Sequence, residues 1–454
     1  MAKSSPPVAT EPPPLLSHHR GLPQPLRSAS RWLRVLGPGL ITGAADDDPS
    51  GIGTYSQAGA AFGTGLIWLA LYILPLVIAV QEMCGRIGLV TGRGLAGVIR
   101  HHYDRKLLLA VVALLFTANT INVGADLGAM AASVRMLAPG LPLLPLLVAF
   151  ALFTIALEIL VPYRVYARVL KVLTLSLLAY ILTGIIIGPD WGAVLRATVI
   201  PTIIPTPAFL ALVVAVIGTT ISPYLFFWQA SEEVEEVALK HRQQRAGDPR
   251  RQRLALLRQL RALRLDTGLG MLAANLTFFF IIVTTGSTLH ANGIHSIQTA
   301  DQAARALTPL VHSFPHAGTL AQILFAVGVV GTGLLAVPVL AGSAAYCSAE
   351  AFGWHASLGQ KFTQARGFYG VLSLATLIGM AIDLFGVDPI AALVYAAIIN
   401  GLVAVPLLVV ILRVANNKGI MGSYVNGRLA NALGGTTVVV MGIAGAATII
   451  TLFR

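Results

Sequence analysis

Charged residues and cysteines are scarce in this sequence. Only 11% of its 454 residues are charged, and both cysteines, Cys84 and Cys347, lie in or beside apolar segments, so no disulfide framework is predicted. A soluble domain of ordinary composition is about 25% charged. Here 56% of the residues are hydrophobic and the mean hydropathy is +0.77. The composition excludes a water-soluble protein and predicts an integral membrane protein.

The apolar stretches also lack the alternation of polar and apolar residues that a transmembrane β-barrel requires. Runs such as 107–116 and 181–187 do not alternate. Many stretches reach the roughly 20 residues with which a helix crosses a hydrocarbon core of about 30 Å. We therefore predict an all-α polytopic membrane protein with about eleven transmembrane helices. The predicted spans are 36–62, 65–90, 107–133, 142–161, 167–188, 208–230, 266–289, 319–346, 368–386, 389–413 and 431–452.

Basic residues are distributed unevenly among the loops between these spans. The net charge of +12 could indicate a nucleic-acid partner, but its placement along the chain favours another explanation. With the N-terminus in the cytoplasm, 27 of the 31 Lys and Arg residues fall on the cytoplasmic side, and only Arg135, Arg196, Arg305 and Arg454 lie outside. This bias follows the positive-inside rule. We predict a cytoplasmic N-terminus, a bacterial inner-membrane location and no nucleic-acid partner.

Two segments outside the spans have distinctive compositions. Residues 1–30 are rich in Pro, Ser and His without an apolar run of signal-peptide length, and they are predicted to form a disordered cytoplasmic tail. The loop 240–264 has nine basic residues, with leucines at 254, 257, 260 and 263. This pattern allows an amphipathic helix lying on anionic lipid headgroups. A solvated loop that fixes the topology remains the alternative.

The first span is interrupted by three acids followed by a proline and a glycine, in the order Asp46-Asp47-Asp48-Pro49-Ser50-Gly51. A carboxylate inside a membrane is costly unless it faces water, a cation or a partner. Proline has no backbone N–H to donate and disfavours the helical conformation at the residue before it. The helix is therefore predicted to break at Asp48. The freed carbonyl oxygens and the Asp48 carboxylate are ligands of the kind that a hard cation prefers.

The sixth span contains a similar interruption, from Gly218 to Tyr224, and its Pro223 follows Pro49 by 174 residues. One break lies in the first span and the other in the sixth. Each break would therefore lie in the first helix of a five-helix repeat, as expected for two inverted repeats. We predict a first repeat within 31–190, a second within 191–414 and an eleventh span within 415–454. An ordinary proline kink would explain the sixth-span feature alone. It does not explain three consecutive aspartates.

Several short motifs resemble one family of membrane proteins. Gly37-Pro38-Gly39, the sequence Asp-Pro-Ser-Gly at 48–51, Gln-Ala-Gly-Ala at 57–60 and Gly-Leu-Val-Thr-Gly at 88–92 are similar to the natural-resistance-associated macrophage protein (NRAMP) family of divalent metal transporters. The similarity extends over all eleven spans. It implies a leucine-transporter-type fold with broken helices 1 and 6, and alternating access to a metal ion that is substrate rather than cofactor.

The resemblance also implies roles for individual residues. Asp48 matches the metal-binding aspartate of the family, and Thr219 matches a residue whose backbone carbonyl helps to bind the ion. Asp126 matches a third-span aspartate linked to proton movement. An interior carboxylate paired with Arg168 or Lys171 is an equally good account of Asp126.

The sequence departs from the family pattern at the remaining ligand positions. A thioether favours transition metals, so its loss directs the site towards hard cations, and small Gly51 and Ser222 leave room for a hydrated Mg²⁺. In these departures the sequence resembles a magnesium-transporting branch of the group, and Mn²⁺ and Fe²⁺ remain possible substrates. Asp47 either adds negative potential or faces a basic partner. The departures are Gly51 for asparagine, Ser222 for methionine, Tyr224 for histidine, Ala129 for glutamate, and no glutamine near Leu393.

The same departures bear on coupling and on competing functions. Tyrosine titrates near pH 10 and cannot replace a histidine as a proton carrier, so we expect transport without proton coupling. The alternatives are an organic-solute carrier of the same fold, for example of amino acids, and a non-transporting receptor or scaffold. An enzyme is not expected, because no nucleophile set or nucleotide-binding loop is present. The outer loop between spans seven and eight contains four histidines that could hold a metal by imidazole, although a structural zinc site is not the favoured interpretation. They are His290, His295, His312 and His316.

Overall fold

The computed structural model describes residues 38–161, 174–241, 249–355, 357–358 and 362–452, and within these ranges it contains helices and no strand. The predicted tail 1–30 lies outside the described residues. The α-helices are α1 Pro38–Asp46, α2 Pro49–Phe62, α3 Trp68–Thr91, α4 Leu95–His102, α5 Arg105–Leu137, α6 Leu143–Leu160, α7 Leu178–Ile187, α8 Trp191–Val199, α9 Pro207–Thr220, α10 Pro223–His241, α11 Pro249–Thr288, α12 Ala300–Ala304, α13 Thr308–Val311, α14 Ala317–Phe352, α15 Arg366–Asp383, α16 Pro389–Asn416, α17 Lys418–Met421 and α18 Arg428–Leu452. Short 3₁₀ helices are Thr174–Leu177, His290–Asn292, Arg305–Leu307 and Gly422–Tyr424.

Most predicted spans correspond to one long apolar helix. Among the described residues, 8 helical segments are long and apolar enough to cross a membrane, the pair α9 and α10 being one of them. The others are α3, α5, α6, α11, α14, α16 and α18. Predicted span 1 is divided into α1 and α2, span 5 is α7 with its first residues outside the described ranges, and span 9 is α15. The all-α polytopic prediction is confirmed.

Both predicted helix breaks are present. Helix α1 ends at Asp46 and α2 begins at Pro49, whereas α9 ends at Thr220 and α10 begins at Pro223. Proline suits the first position of a helix because its ring fixes φ and the N–H it lacks would be unpaired there. Both interruptions are therefore true helix ends rather than kinks.

Helix α1 lies against α11 at very short range. A Cβ atom on Gly39 would lie 2.6 Å from the Thr267 backbone nitrogen, and one on Gly43 would overlap the Gly270 carbonyl group. Only glycine permits such an approach of two backbones. The Gly39 N–H also donates to the Asp266 carboxylate at 2.6 Å, which satisfies one free donor at the start of α1. This packing fixes the position of the first break.

Helix α11 begins earlier than the predicted seventh span. It runs from Pro249 through 40 residues, about 60 Å, so the second half of the basic loop continues the span as one helix. Two of its leucines, Leu260 and Leu263, pack on Leu89 within the protein, whereas the leucines at 254 and 257 are exposed. No helix-breaking residue separates the basic segment from the span. Contact with anionic headgroups stays a prediction, now confined to the exposed side of this helix, and 242–248 lie outside the described residues.

Helix α5 is central to the bundle. It packs against α14, α15 and α16, while α1 and α2 pack against α11, and α9 packs against α16. The two breaks and the middle of α5 thereby meet in the interior of the helix bundle.

Candidate metal site

Asp48 lies in the first break, with its side chain buried at 2% exposure. One carboxylate oxygen, Oδ1, accepts a hydrogen bond from the Gly51 N–H at 2.6 Å, as expected for a helix N-cap. The other, Oδ2, accepts from Asn122 Nδ2 at 3.1 Å. The Tyr224 hydroxyl lies 3.4 Å from Oδ2 and donates to the Ala45 carbonyl at 2.7 Å. Groups from both breaks and from α5 therefore converge on one carboxylate.

Asp126 belongs to the same cluster. Its Oδ1 accepts from the Ser50 N–H at 3.1 Å, and its Oδ2 lies 3.3 Å from Asn122 Nδ2. The Asn122 amide therefore donates towards two carboxylates, Asp48 and Asp126. Asn400 on α16 donates to Asn122 Oδ1 at 2.9 Å, and this bond holds the amide with its two donors towards the acids.

The two prolines leave one carbonyl oxygen in each break without its helical partner. In an α-helix each carbonyl accepts from the N–H four residues later. For Ala45 and Thr219 that residue is Pro49 and Pro223 respectively, and neither proline has an N–H. Tyr224 serves the Ala45 oxygen. Thr219 is buried at 1% exposure, and its carbonyl lacks the N–H that a residue other than Pro223 would donate to it.

Several further buried oxygens near the breaks have no hydrogen-bond partner within the described part of the chain. They include Ser222 Oγ, Asp46 Oδ1, Asp47 Oδ1 and Asn400 Oδ1. Buried polar atoms are nearly always hydrogen-bonded in native proteins. Oxygens without a partner at a break suit a cation or the water molecules that a hydrated cation retains.

Gly51 and Asp47 differ in their relation to Asp48. A Cβ atom on Gly51 would lie 3.4 Å from Asp48 Oδ1 and 3.2 Å from the Asp46 carbonyl, so glycine leaves space beside the carboxylate. The Asp47 carboxylate is buried at 6% exposure, and its Oδ1 has no hydrogen-bond partner among the described residues. It therefore adds negative charge beside Asp48 without taking part in the hydrogen bonds that hold Asp48.

Negative charge in this region has no basic counterpart within the described ranges. Four buried acids lie here, and no described basic residue forms an ion pair with any of them. Arg168 and Lys171, the alternative partners of Asp126, lie outside the described residues. Buried carboxylates without compensation are costly in a membrane, so the arrangement attracts a cation. The four acids are Asp46, Asp47, Asp48 and Asp126.

The sequence interpretation identified much of this cluster and missed part of it. Hydrogen bonds link Asp48 with Gly51, Tyr224 and, through Asn122, Asp126, while Ser222 and Thr219 lie in the second break beside Tyr224. The residues that sequence reasoning missed are Ser50, Asn122 and Asn400. One signal was available, because Asn122 precedes Asp126 by one helical turn and so shares its face of the span.

Comparisons with known proteins agree with this architecture. The chain is 26% identical over 416 residues to the divalent metal cation transporter MntH of Pectobacterium carotovorum subsp. carotovorum (strain PC1), a match that covers 90% of this chain and 92% of that protein. The structure of the present chain is similar to that of the Eremococcus coleocola manganese transporter. The TM-score is 0.71 at 17% identity, and the match covers 96% of this chain and 90% of that chain.

A more distant structural neighbour is MhsT in complex with L-phenylalanine, with a TM-score of 0.56, 13% identity, and coverage of 91% of this chain and 97% of that chain. Both structural likenesses show a shared fold, which is the predicted leucine-transporter type. Residues 39–451 match the model of one family, described as natural resistance-associated macrophage protein-like. The chain therefore belongs to the natural resistance-associated macrophage protein-like family.

Proposed function

We propose that this chain carries a divalent metal cation across the membrane by alternating access, with the ion bound between the two helix breaks. The observation that carries the proposal is the buried Asp48 carboxylate, which lies at a helix break among buried acids that no described basic residue neutralises. Family membership and the relatives named as divalent metal cation transporters support it.

The donor set favours a hard cation. The proposed ligands are the Asp48 carboxylate, the Thr219 carbonyl and the Ser222 hydroxyl, all of them oxygens. Mg²⁺ usually keeps several waters and touches one or two carboxylates, and the space beside Gly51 suits such an ion. We propose Mg²⁺ as the leading substrate, with Mn²⁺ and Fe²⁺ as candidates that the same oxygens can also bind. Tyr224 orients Asp48 through its hydroxyl, and Asp47 contributes charge without direct contact.

An organic solute such as an amino acid is a weaker candidate for the same fold. Carriers of such solutes present amides and half-helix N-termini to the substrate carboxylate. Here Asp48 and Asp126 would repel that group. The chain is accordingly proposed as a transporter of cations and not as an enzyme.

Orientation and domain boundaries belong to the same proposal. The distribution of basic residues supports a cytoplasmic N-terminus in a bacterial inner membrane. The two breaks support inverted repeats within 31–190 and 191–414, followed by the span within 415–454. The exposed side of the basic part of α11 would face anionic headgroups.

The test is uptake by Asp48→Ala in liposomes, compared with Asp301→Ala. Asp301 lies in the outer loop and is ion-paired with Arg305 at 2.9 Å, so its variant controls for the loss of an acid elsewhere. We expect Asp48→Ala to fold and to lose Mg²⁺ and Mn²⁺ uptake, because the ion loses its charged ligand. Normal uptake would contradict the site assignment. Binding heat with no uptake by the wild-type protein would indicate a receptor instead.

A further inference from the structure

Two histidines face each other at the predicted outer end of α2. His290 Nδ1 lies 3.2 Å from His295 Nδ1 and 2.8 Å from the Ala60 carbonyl oxygen. The His290 ring packs beside Gly63, whose φ of +57° and missing side chain permit this approach. His290 is half-buried and His295 is exposed, so solvent reaches the pair.

Hydrogen bonds among His290 Nδ1, His295 Nδ1 and the Ala60 carbonyl oxygen leave at least one of these atoms without a good partner. A neutral imidazole has one N–H and one lone pair. If His290 Nδ1 carries a hydrogen and donates it to the Ala60 oxygen, His295 Nδ1 can accept a bond only by sharing that same hydrogen. If His295 Nδ1 donates to His290 instead, the Ala60 oxygen faces a lone pair at 2.8 Å. His290 Nδ1 thus lies beside two other electron-pair donors, His295 Nδ1 and the Ala60 oxygen, and a cation bound by these atoms would satisfy all three.

The Ala60 carbonyl is itself suited to a cation. It lies in the last turn of α2, which ends at Phe62, where carbonyl oxygens lack helical partners and the helix dipole is negative. Zinc bound at about 2.0–2.1 Å to two nitrogens in tetrahedral geometry separates them by about 3.3 Å. The observed separation of 3.2 Å between the two histidine nitrogens is close to this value, and the 2.8 Å between His290 Nδ1 and the Ala60 oxygen would lengthen by about 0.5 Å when both atoms bind one ion.

We propose that His290, His295 and the Ala60 carbonyl form an outer binding site for a divalent transition ion of the Zn²⁺, Ni²⁺ or Cu²⁺ class, completed by water. Imidazole prefers these ions to Mg²⁺. The site therefore differs in ion preference from the oxygen-only site at Asp48, and its existence does not depend on transport.

Occupancy of this site would also act on transport, a consequence that rests on the proposed function. Besides the contact of His290 with Ala60, the segment after α11 makes a second contact with α2, because the Ile297 N–H donates to Gln57 Oε1 at 2.8 Å. A metal bridge from His290 and His295 to Ala60 would reinforce this contact. Alternating access requires the half-helix at a break to move relative to its neighbours. External Zn²⁺ is therefore expected to slow cation uptake.

The binding test uses purified full-length protein with Asp48→Ala, so that the transport site cannot contribute, and Zn²⁺ as the probe in isothermal titration. We expect one Zn²⁺ per chain. Adding His295→Ala should weaken binding by more than the roughly 10–100-fold typical of losing an outer-shell partner, since a direct ligand is lost. His312→Ala is the control, because this exposed histidine bonds only to the Pro309 carbonyl at 2.7 Å.

A second variant guards against a folding artefact. His290→Gln keeps an N–H that can donate to the Ala60 carbonyl but lacks the imidazole nitrogen, and it should lose Zn²⁺ binding while melting like the parent protein. Equal Zn²⁺ affinity in the parent, His295→Ala and His290→Gln proteins would overturn the proposal. In liposomes, external Zn²⁺ should inhibit Mg²⁺ uptake by the wild type and not by His295→Ala. Equal inhibition of both would overturn the regulatory effect.

Discussion

At the scale of single residues, the site depends on the chemistry that proline and asparagine impose. Pro49 and Pro223 remove the N–H groups that would occupy two carbonyl oxygens, and Asn122 places one amide between two acids. None of these residues needs to bind the ion directly. They determine which oxygens are free and where the carboxylates lie, and this division of roles yields two predictions.

Ser222→Met should shift ion preference from Mg²⁺ towards Mn²⁺ or Cd²⁺. The Ser222 hydroxyl is buried and has no hydrogen-bond partner among the described residues, so it is available to the ion, and a thioether in its place is a softer ligand. Competition assays with radioactive Mn²⁺ in liposomes measure the order of preference. Ser222→Ala is the control, because it removes the hydroxyl without adding sulfur. An unchanged order in Ser222→Met would show that residue 222 does not touch the ion.

Asn122→Leu should sharply weaken cation binding. The Asn122 amide donates to Asp48 and lies within bonding distance of Asp126, and a hydrogen bond to a charged group contributes about 1.5–3 kcal/mol. Without it the two carboxylates repel each other directly. Asn119→Leu is the matched control, since Asn119 donates to the Leu340 carbonyl at 2.9 Å instead. Titration calorimetry with Mg²⁺ compares the two, and equal affinities would remove Asn122 from the site.

Sequence reasoning reached Asp48 and the second break because acids and prolines are conspicuous inside apolar spans. The sequence could not predict the role of Asn400, because a single amide in a span gives the same local pattern whether its side chain contacts lipid, a neighbouring helix or an acid. Helix rotation and the contacts between helices decide this, and neither is encoded in a local pattern. Asp47 illustrates the same limit, since only the fold shows that its carboxylate takes no part in the hydrogen bonds around Asp48.

At the scale of elements, the site depends on a very close contact between α1 and α11. Gly39 and Gly43 let the two backbones meet, and Asp266 caps the start of α1. The length of the apolar stretch predicted the seventh span but not the extension of its helix back to Pro249. The added part is rich in basic residues, and a search by hydropathy does not detect a charged helix. The short helices α4 and α8 were missed for a related reason, being too short to stand out.

Gly43→Ala should destabilise the protein, whereas Gly268→Ala should not. A methyl group on Gly43 would overlap the Gly270 carbonyl, and such overpacking costs about 1–3 kcal/mol. Gly268 lies in α11 with nothing within 4 Å of its Cβ position, so alanine there should add about 0.5–1 kcal/mol through helix propensity. Heat unfolding in one detergent compares the two midpoints. Equal midpoints would mean that α1 does not pack on α11 in the purified protein.

At the scale of the whole molecule, two positions that could complete a proton relay with Asp126 hold Tyr224 and Ala129. The Tyr224 hydroxyl donates to the Ala45 carbonyl, and Ala129 has no titratable group. Asp126 is held by the Ser50 N–H and lies beside the Asn122 amide. A relay requires groups that exchange protons near working pH and lie within hydrogen-bond reach of one another. We therefore predict that cation flux is uncoupled from protons.

An uncoupled transporter would draw on the ion gradient and the membrane potential. A potential of 100 mV is worth about 2.3 kcal/mol per charge, so a dication gains about 4.6 kcal/mol on entering an inside-negative compartment. Liposomes loaded with a pH-sensitive dye, given a Mg²⁺ gradient at clamped potential, should take up Mg²⁺ without a change in internal pH. Asp126→Asn should then leave the stoichiometry unchanged. Cation-dependent acidification of the lumen that disappears in Asp126→Asn would refute uncoupled transport, because only a proton carried with the ion through that carboxylate explains both results.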